Sequence, residues 1–124
     1  MARRRQGIRW LEEPEEHDYP AALSYLKLLY PSKAAKLLVK KLAGAPSAKF
    51  KAKDIFRASR LSLLGISNAH VERDLRKIAA GTPLSPLLLV RDPGNGVLVI
   101  ADGYHRLCAV YAQEEDAIIP CKIV

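Results

Sequence analysis

Two apolar runs separated by a turn constrain the fold of this chain more than any other feature. The segment SPLLLV (85–90) is followed by RDPGNG (91–96) and then by VLVI (97–100). Proline, asparagine, aspartate and glycine favour tight turns, and a short apolar run between turn signals is typical of a buried strand. The pattern therefore predicts an antiparallel hairpin with two buried strands.

Two helices are predicted in front of this hairpin. The segment DYP (18–20) indicates the start of the first helix, because an acidic residue and an early proline favour helix initiation, and Pro31 ends it. Ser32 is expected to cap a second helix that closes at Gly44. The buried side of this second helix is predicted to consist of Ala34, Leu37, Leu38 and Leu42.

The other segments alternate between loops, helices and strands. In chain order we predict an irregular arm (1–17), a linker (44–48), a strand (49–52), a helical turn capped by Asp54, a loop (59–67), a helix capped by Ser67 or Asn68 that ends at Gly81, a helix (104–113) and a last strand (117–124).

The order of these elements is β-α-β-β-α-β behind a helical pair. That order predicts an α+β fold with a small mixed sheet. A chain of 124 residues is the size of one domain. We divide it into an N-terminal arm and helical pair (1–45) and an α+β domain (46–124), and we expect the two to form one compact unit.

The junction IADGYHRL (100–107) is the first candidate site. A strand ends at Asp102 and Gly103, and His105 and Arg106 then stand in the first turn of a helix. Cationic groups are unfavourable there because a helix start already carries partial positive charge. A bound anion such as a phosphate would resolve this conflict. Asp102 is either a helix cap or a catalytic or metal-contacting carboxylate.

The helix that precedes the hairpin carries further cationic groups. His70, Arg73 and Lys77 are spaced at i, i+3 and i+7, so they share one helix face. This face is either a solvated surface interleaved with Glu72 and Asp74 or a second set of phosphate contacts.

Positive charge is concentrated in the first half of the chain. The formal net charge is +7, and the range 33–60 contains nine Lys or Arg and a single acid, Asp54. Such a field favours nucleotides, nucleic acid or acidic protein surfaces as partners. The alternative is a solvated lysine surface.

The cysteines and the hydropathy pattern indicate a cytoplasmic protein. Cys108 and Cys121 form no CxxC motif, and we expect both to be buried, reduced and not nucleophilic. No metal site is predicted. No apolar run approaches about 18 residues, so no membrane partner is expected, and the basic N-terminus lacks the apolar core of a secretory signal.

Residues 50–124 resemble the ParB/sulfiredoxin superfamily. The resemblance is carried by the last strand pair, by DGYHR (102–106) before a helix with small residues, and by the terminal IPCKIV. In sulfiredoxins the corresponding turn, Gly-Gly-Cys-His-Arg, holds ATP phosphates. Free serine kinases of this fold have Asp-Gly-His-His-Arg, and ParB proteins have a Gly-Glu-Arg-Arg version that binds CTP. DGYHR is most similar to the kinase version.

The resemblance implies a nucleotide- or phosphate-binding protein whose cofactor is ATP or CTP, with or without Mg²⁺. If the chain is an enzyme, the resemblance implies a phosphotransferase or an ATP or CTP hydrolase with Asp102 and His105 as catalytic groups. The ligand contacts that it implies are Gly103, Tyr104, His105 and Arg106, together with His70, Arg73 and Lys77 on the preceding helix.

Two departures from the family limit what is carried over. Tyr104 stands where sulfiredoxins have their reactive cysteine, so sulfinic-acid reduction is not expected. The sequence contains no helix-turn-helix domain of the kind that ParB proteins use to read DNA. The alternative function is therefore a ParB-like protein that binds DNA or RNA through its basic surface, and a non-catalytic interaction protein is a third.

Overall fold

The structure of the chain is a computed structural model that describes residues 7–65 and 67–124. Five helices and four strands lie within these ranges. In chain order they are α1 (Asp18–Leu29), α2 (Ser32–Gly44), β1 (Ser47–Lys51), α3 (Ala52–Ser59), α4 (Ala69–Ala79), β2 (Leu87–Asp92), β3 (Val97–Asp102), α5 (Tyr104–Gln113) and β4 (Ile118–Ile123).

The four strands form one mixed sheet in the order β1-β4-β2-β3. The predicted hairpin of β2 and β3 is antiparallel, and so is the pair β1 and β4. The two pairs join through parallel pairing of β2 with β4. The predicted class, an α+β fold with a small mixed sheet behind an N-terminal helical pair, is confirmed.

Helices cover both faces of this sheet, because side chains alternate between the faces along each strand. Leu88 and Val90 of β2 and Val99 of β3 are buried against α1 and α2. Leu87 and Leu89 point to the other face, where α3 and α5 complete a second apolar cluster. The hairpin is therefore buried on both sides, as its apolar runs predict.

Residues 7–17 form an irregular arm, as predicted, and the part of that prediction on residues 1–6 lies outside the described residues. Trp10 forms a parallel bridge with Leu84 and packs against the cluster below α3 and α5. The Leu11 amide donates to the Leu84 carbonyl at 2.8 Å, so the arm is fixed beside the entry to β2.

The predicted bounds of α1 are confirmed, whereas details of α2 are wrong. The residue before the first turn of α2 is Pro31, and no side chain caps the helix. Burial is centred on Ala35 and Leu42, while Leu37 is 52% exposed. The buried side is rotated from the prediction because α1 and β2 determine which side of α2 is covered.

The segment between α2 and α4 also differs from the prediction. β1 begins at Ser47, inside the predicted linker, because Ser47 already pairs with Lys122 of β4. Ala52 starts α3 rather than ending the strand, and α3 continues as far as Ser59. No side chain caps α3, so the proposed cap by Asp54 is wrong.

Both cysteines are free and buried, as predicted. Burial raises the pKa of the Cys108 thiol, and it raises that of Cys121 to about 11. Both side chains are therefore protonated thiols near neutral pH, the poorly nucleophilic form.

No helix in the described ranges has the length and the apolar content that crossing a bilayer requires.

Candidate functional site

A polar cavity of about 210 Å³ lies where β3 passes into α5. Four segments form its walls: the N-terminal arm, α4, the connection into β2 and the start of α5. The residues that line it are Glu15, His17, Arg73, Asp74, Lys77, Pro83, Leu84, Ser85, Asp102, Gly103, Tyr104, His105 and Arg106.

Gly103 makes the sharp change from strand to helix possible. Its φ of 109° lies in a region that L side chains rarely adopt. A Cβ at this position would stand 2.7 Å from Leu87 Cγ. The first helical hydrogen bond runs from the Leu107 amide to the Gly103 carbonyl at 2.9 Å, which leaves the amides of residues 104–106 without an intrahelical acceptor.

Asp102 does not cap α5 with its side chain, so that interpretation is wrong. Its carboxylate accepts a hydrogen bond from Arg106 Nη2 at 3.0 Å. Burial raises the pKa of Asp102, the Arg106 guanidinium opposes the rise, and the nearby Asp18 carboxylate adds to it. The other interpretation, a catalytic or metal-contacting carboxylate, stays a prediction.

Arg106 is paired with carboxylates of the protein itself. Beside the bond to Asp102, Arg106 Nη2 lies 3.7 Å from Asp18 Oδ2. Ser85 Oγ donates a short hydrogen bond to the same Asp18 oxygen, and the Glu15 amide donates to Ser85 Oγ at 3.0 Å. These carboxylates resolve the charge conflict at the helix start, so Arg106 alone does not require an external anion.

The predicted cationic face of α4 reaches the same cavity. Asn68 caps this helix by accepting hydrogen bonds from the amides of His70 and Val71. Arg73 and Lys77 line the cavity. His70 lies just outside the lining, with its Nδ1 3.3 Å from Arg73 Nη2. All seven predicted ligand-contacting residues are thus gathered around one cavity or in contact with its lining.

The surroundings of His105 favour the neutral form of its imidazole. Its ring centroid lies 4.8 Å from that of His70. Burial lowers the pKa of His105, and electrostatic repulsion from His70, Arg73 and Arg106 lowers it further, while Asp74 raises it. A neutral imidazole donates one hydrogen bond and accepts another, and a nearby anion raises its pKa.

Tyr104 lines the cavity, but its hydroxyl is engaged elsewhere. The hydroxyl donates a short hydrogen bond to the Ser62 carbonyl in the loop before α4. Its visible role is therefore to hold that loop against α5 rather than to contact a ligand with its hydroxyl.

Four polar residues of the cavity lining lie outside the predicted set: Glu15, His17, Asp74 and Ser85. The sequence predicts Asp18 only as a helix-start signal, but its side chain is 3% exposed and lies next to Arg106 of the lining. Ligand atoms of Glu15, His17 and Asp18 lie within 4.8 Å of one another. The Asp18 carboxylate is already engaged by Ser85 and Arg106, so this group does not make a metal centre by itself.

The cavity therefore has a basic side and an acidic side. The helix start of α5, Arg73, Lys77 and His105 can hold an anionic group, whereas Asp102, Asp74 and Glu15 offer carboxylate oxygens. Comparison of the chain with protein-family models, with curated proteins and with solved structures finds no match.

Proposed function

We propose that this chain binds a phosphorylated ligand, with ATP and CTP as the first candidates, and that the phosphates lie in the cavity at the start of α5. One observation carries the proposal. The cavity joins a helix start to Arg73, Lys77 and His105, which come from chain segments about 30 residues apart. The resemblance to the ParB/sulfiredoxin superfamily supports the nucleotide in particular.

Arg73 and Lys77 supply the positive charge that Arg106 does not. Neither residue has a carboxylate within 4.0 Å among the described residues, whereas Arg106 has two. A phosphate between these side chains and the unpaired amides of α5 would complete both sets of donors. The two α4 cations are thus the main charged contacts in this proposal.

The size of the cavity fits phosphate groups rather than a whole nucleotide. Pockets that enclose drug-sized ligands measure roughly 300–1,000 Å³, and this cavity measures about 210 Å³. The ribose and base would lie at its mouth.

The proposal extends to phosphoryl transfer or nucleotide hydrolysis. These reactions depend mainly on positioning and charge neutralisation. His105, as a neutral imidazole, can take the proton of an attacking hydroxyl or water. Asp102 is the carboxylate of the α5 junction that would contact Mg²⁺ carried by a nucleotide, because Mg²⁺ prefers oxygen ligands.

Binding to the folded chain is tested by thermal stabilisation and calorimetry with ATP, CTP and inorganic phosphate, each with and without Mg²⁺. A ligand that binds only the folded state raises the melting temperature. Arg73→Ala and Lys77→Ala should each weaken binding roughly tenfold, as expected for the loss of one charge-assisted contact. Arg76→Ala is the matched control, since Arg76 is on the same helix but pairs with Glu72 at 2.8 Å.

An NMR titration of His105 tests where the ligand binds. In this titration the pKa of His105 should start below its usual value and rise when the phosphate ligand binds, because an anion favours the imidazolium. Stabilisation by none of the three ligands contradicts the proposal. Equal affinities for the Arg73, Lys77 and Arg76 variants contradict this location of the site.

A further inference from the structure

Both helices of the α1–α2 pair expose large apolar side chains. Tyr25, Leu28 and Leu29 are spaced at i, i+3 and i+4, so they share one side of α1, and they are 40%, 81% and 49% exposed. We call these three residues the apolar strip. On α2, Leu37 is 52% exposed.

The fold itself does not require this strip. α1 is packed through its other side, where Ala22 and Leu26 are fully buried. A single exposed leucine is ordinary on a protein surface. Three large apolar side chains on one face of a 12-residue helix form a patch that another molecule can cover.

Charge identifies the kind of molecule. Residues 19–53 contain eight lysines and no aspartate or glutamate. On α2, Lys33, Lys40 and Lys41 surround Leu37 at i−4, i+3 and i+4, and within the described chain none of these lysines forms an ion pair. A partner therefore gains from negative charge around an apolar centre.

Other occupants fit this surface less well. A second copy of the chain would bring its own lysines and a formal charge of +7 against the same face. A nucleic-acid backbone would satisfy the lysines but would leave the leucines of the strip without an apolar counterpart. An acidic protein segment with an apolar side matches both features.

We infer that the α1–α2 pair is a docking surface for an acidic amphipathic helix of a partner protein. The partner's leucine-like side chains pack on the apolar strip, and its carboxylates meet the lysines of α2, which is the arrangement of a helix laid against an apolar surface. α1 is about 18 Å long, so it matches about three turns of a partner helix.

This inference does not depend on the proposed ligand site. Leu28 is ten residues from Asp18, which places it roughly 15 Å along α1 from the end that reaches the cavity. Substitutions in the strip should therefore leave phosphate binding unchanged, and the two proposals can fail separately.

The test uses a designed helical peptide of about 18 residues with leucines on one side and glutamates elsewhere. A scrambled peptide of the same composition and a duplex of about 20 base pairs are the comparison probes. Binding to the full chain is measured by fluorescence anisotropy. The amphipathic peptide should bind at least fivefold more tightly than the scrambled one, and Leu28→Gln should remove most of that difference.

A matched pair of charge variants separates local from general attraction. Lys33→Gln with Lys40→Gln should weaken peptide binding at least threefold. Lys49→Gln with Lys51→Gln removes the same charge from β1 and should have little effect. Circular dichroism confirms folding, which these exposed substitutions should preserve.

Three results would overturn the inference. The first is equal affinity for the amphipathic and scrambled peptides. The second is tighter binding of the duplex that Leu28→Gln does not change, which would make the surface a nucleic-acid site. The third is a dimer in sedimentation experiments that Leu28→Gln converts to monomer, which would make the second copy the occupant.

Discussion

The guanidinium of Arg106 lies between two largely buried carboxylates, so this side chain stabilises the fold as well as the site. Arg106→Ala leaves Asp18 and Asp102, which are 3% and 19% exposed, without their cationic partner. We expect the free energy of unfolding at pH 7 to fall by about 3 kcal/mol. Urea denaturation measures the loss, and Arg76→Ala, whose ion pair is exposed, should change stability by less than about 1 kcal/mol.

The stability loss caused by Arg106→Ala should depend on pH, and the direction of that dependence follows from the pKa of Asp102. Burial raises the pKa of Asp102 in the folded protein, and removal of Arg106 should raise it further. A carboxyl group with a raised folded pKa costs stability while it is ionised, and that cost disappears as the pH falls through the folded pKa. The gap between variant and parent should therefore narrow in acid. A gap that stays constant or widens would show that the two carboxylates do not depend on Arg106.

Gly103 should tolerate no side chain. Gly103→Ala places a Cβ 2.7 Å from Leu87 Cγ and 2.9 Å from Arg106 Nη2, on a backbone with φ 109°. Overpacking and left-handed strain together should cost about 3 kcal/mol. Thermal unfolding measures this cost against Gly44→Ala, where the new Cβ meets nothing within 4 Å. Equal melting temperatures for the two variants would contradict the close approach.

The Tyr104 hydroxyl of α5 holds the loop that precedes α4 through its hydrogen bond to the Ser62 carbonyl. Tyr104→Phe removes the bond to the Ser62 carbonyl, which should cost about 1 kcal/mol. Amide hydrogen exchange should accelerate in residues 61–65 and stay unchanged within α5. Tyr25→Phe, on the exposed side of α1, is the control. Unchanged exchange in the loop would show that other contacts hold it.

Elements with local signals were predictable from the sequence. Pro31 ends α1, the turn residues of 91–96 define the hairpin, and Gly103 separates β3 from α5. The buried side of α2 was not predictable, because several of its residues are apolar and contacts with α1 and β2 select among them. Leu37 is exposed for that reason.

In the candidate site, too, the residues grouped by local sequence spacing were predictable, and those joined by long-range contacts were not. Residues 102–106 share one short segment and the α4 cations share one helix face, so spacing alone brings each set together. The bond between Ser85 and Asp18 joins residues 67 positions apart. No local pattern encodes such a contact, and the carboxylate that pairs with Arg106 from α1 was therefore missed.

At the scale of the whole molecule, we expect that residues 46–124, separated from the arm and helical pair of residues 1–45, do not fold alone. α1 and α2 cover Leu88, Val90, Val99 and Ala101, all of which are at least 93% buried. Burial of a large apolar side chain contributes about 1.5–3 kcal/mol, so exposing this face removes an amount comparable to the whole stability of a small domain. We expect fragment 46–124 to show no cooperative thermal transition by circular dichroism. A cooperative melt of that fragment would make the helical pair an appendage.

The order of the sheet also governs how the chain can fold while it is being synthesised. β4 lies between β1 and β2 in the sheet. β1 therefore has no strand to pair with until β4 has been synthesised, since Ser47 pairs with Lys122. Closing so long a loop is slow, because its entropy is lost before the contacts form. Lys49 and Lys51 discourage association along β1 in the interval. β2 has no such protection: its first four residues are Leu, Leu, Leu and Val. A nascent chain that stalls before Ile118 therefore presents an apolar strand with an open edge, which is the form most prone to aggregate or to be degraded.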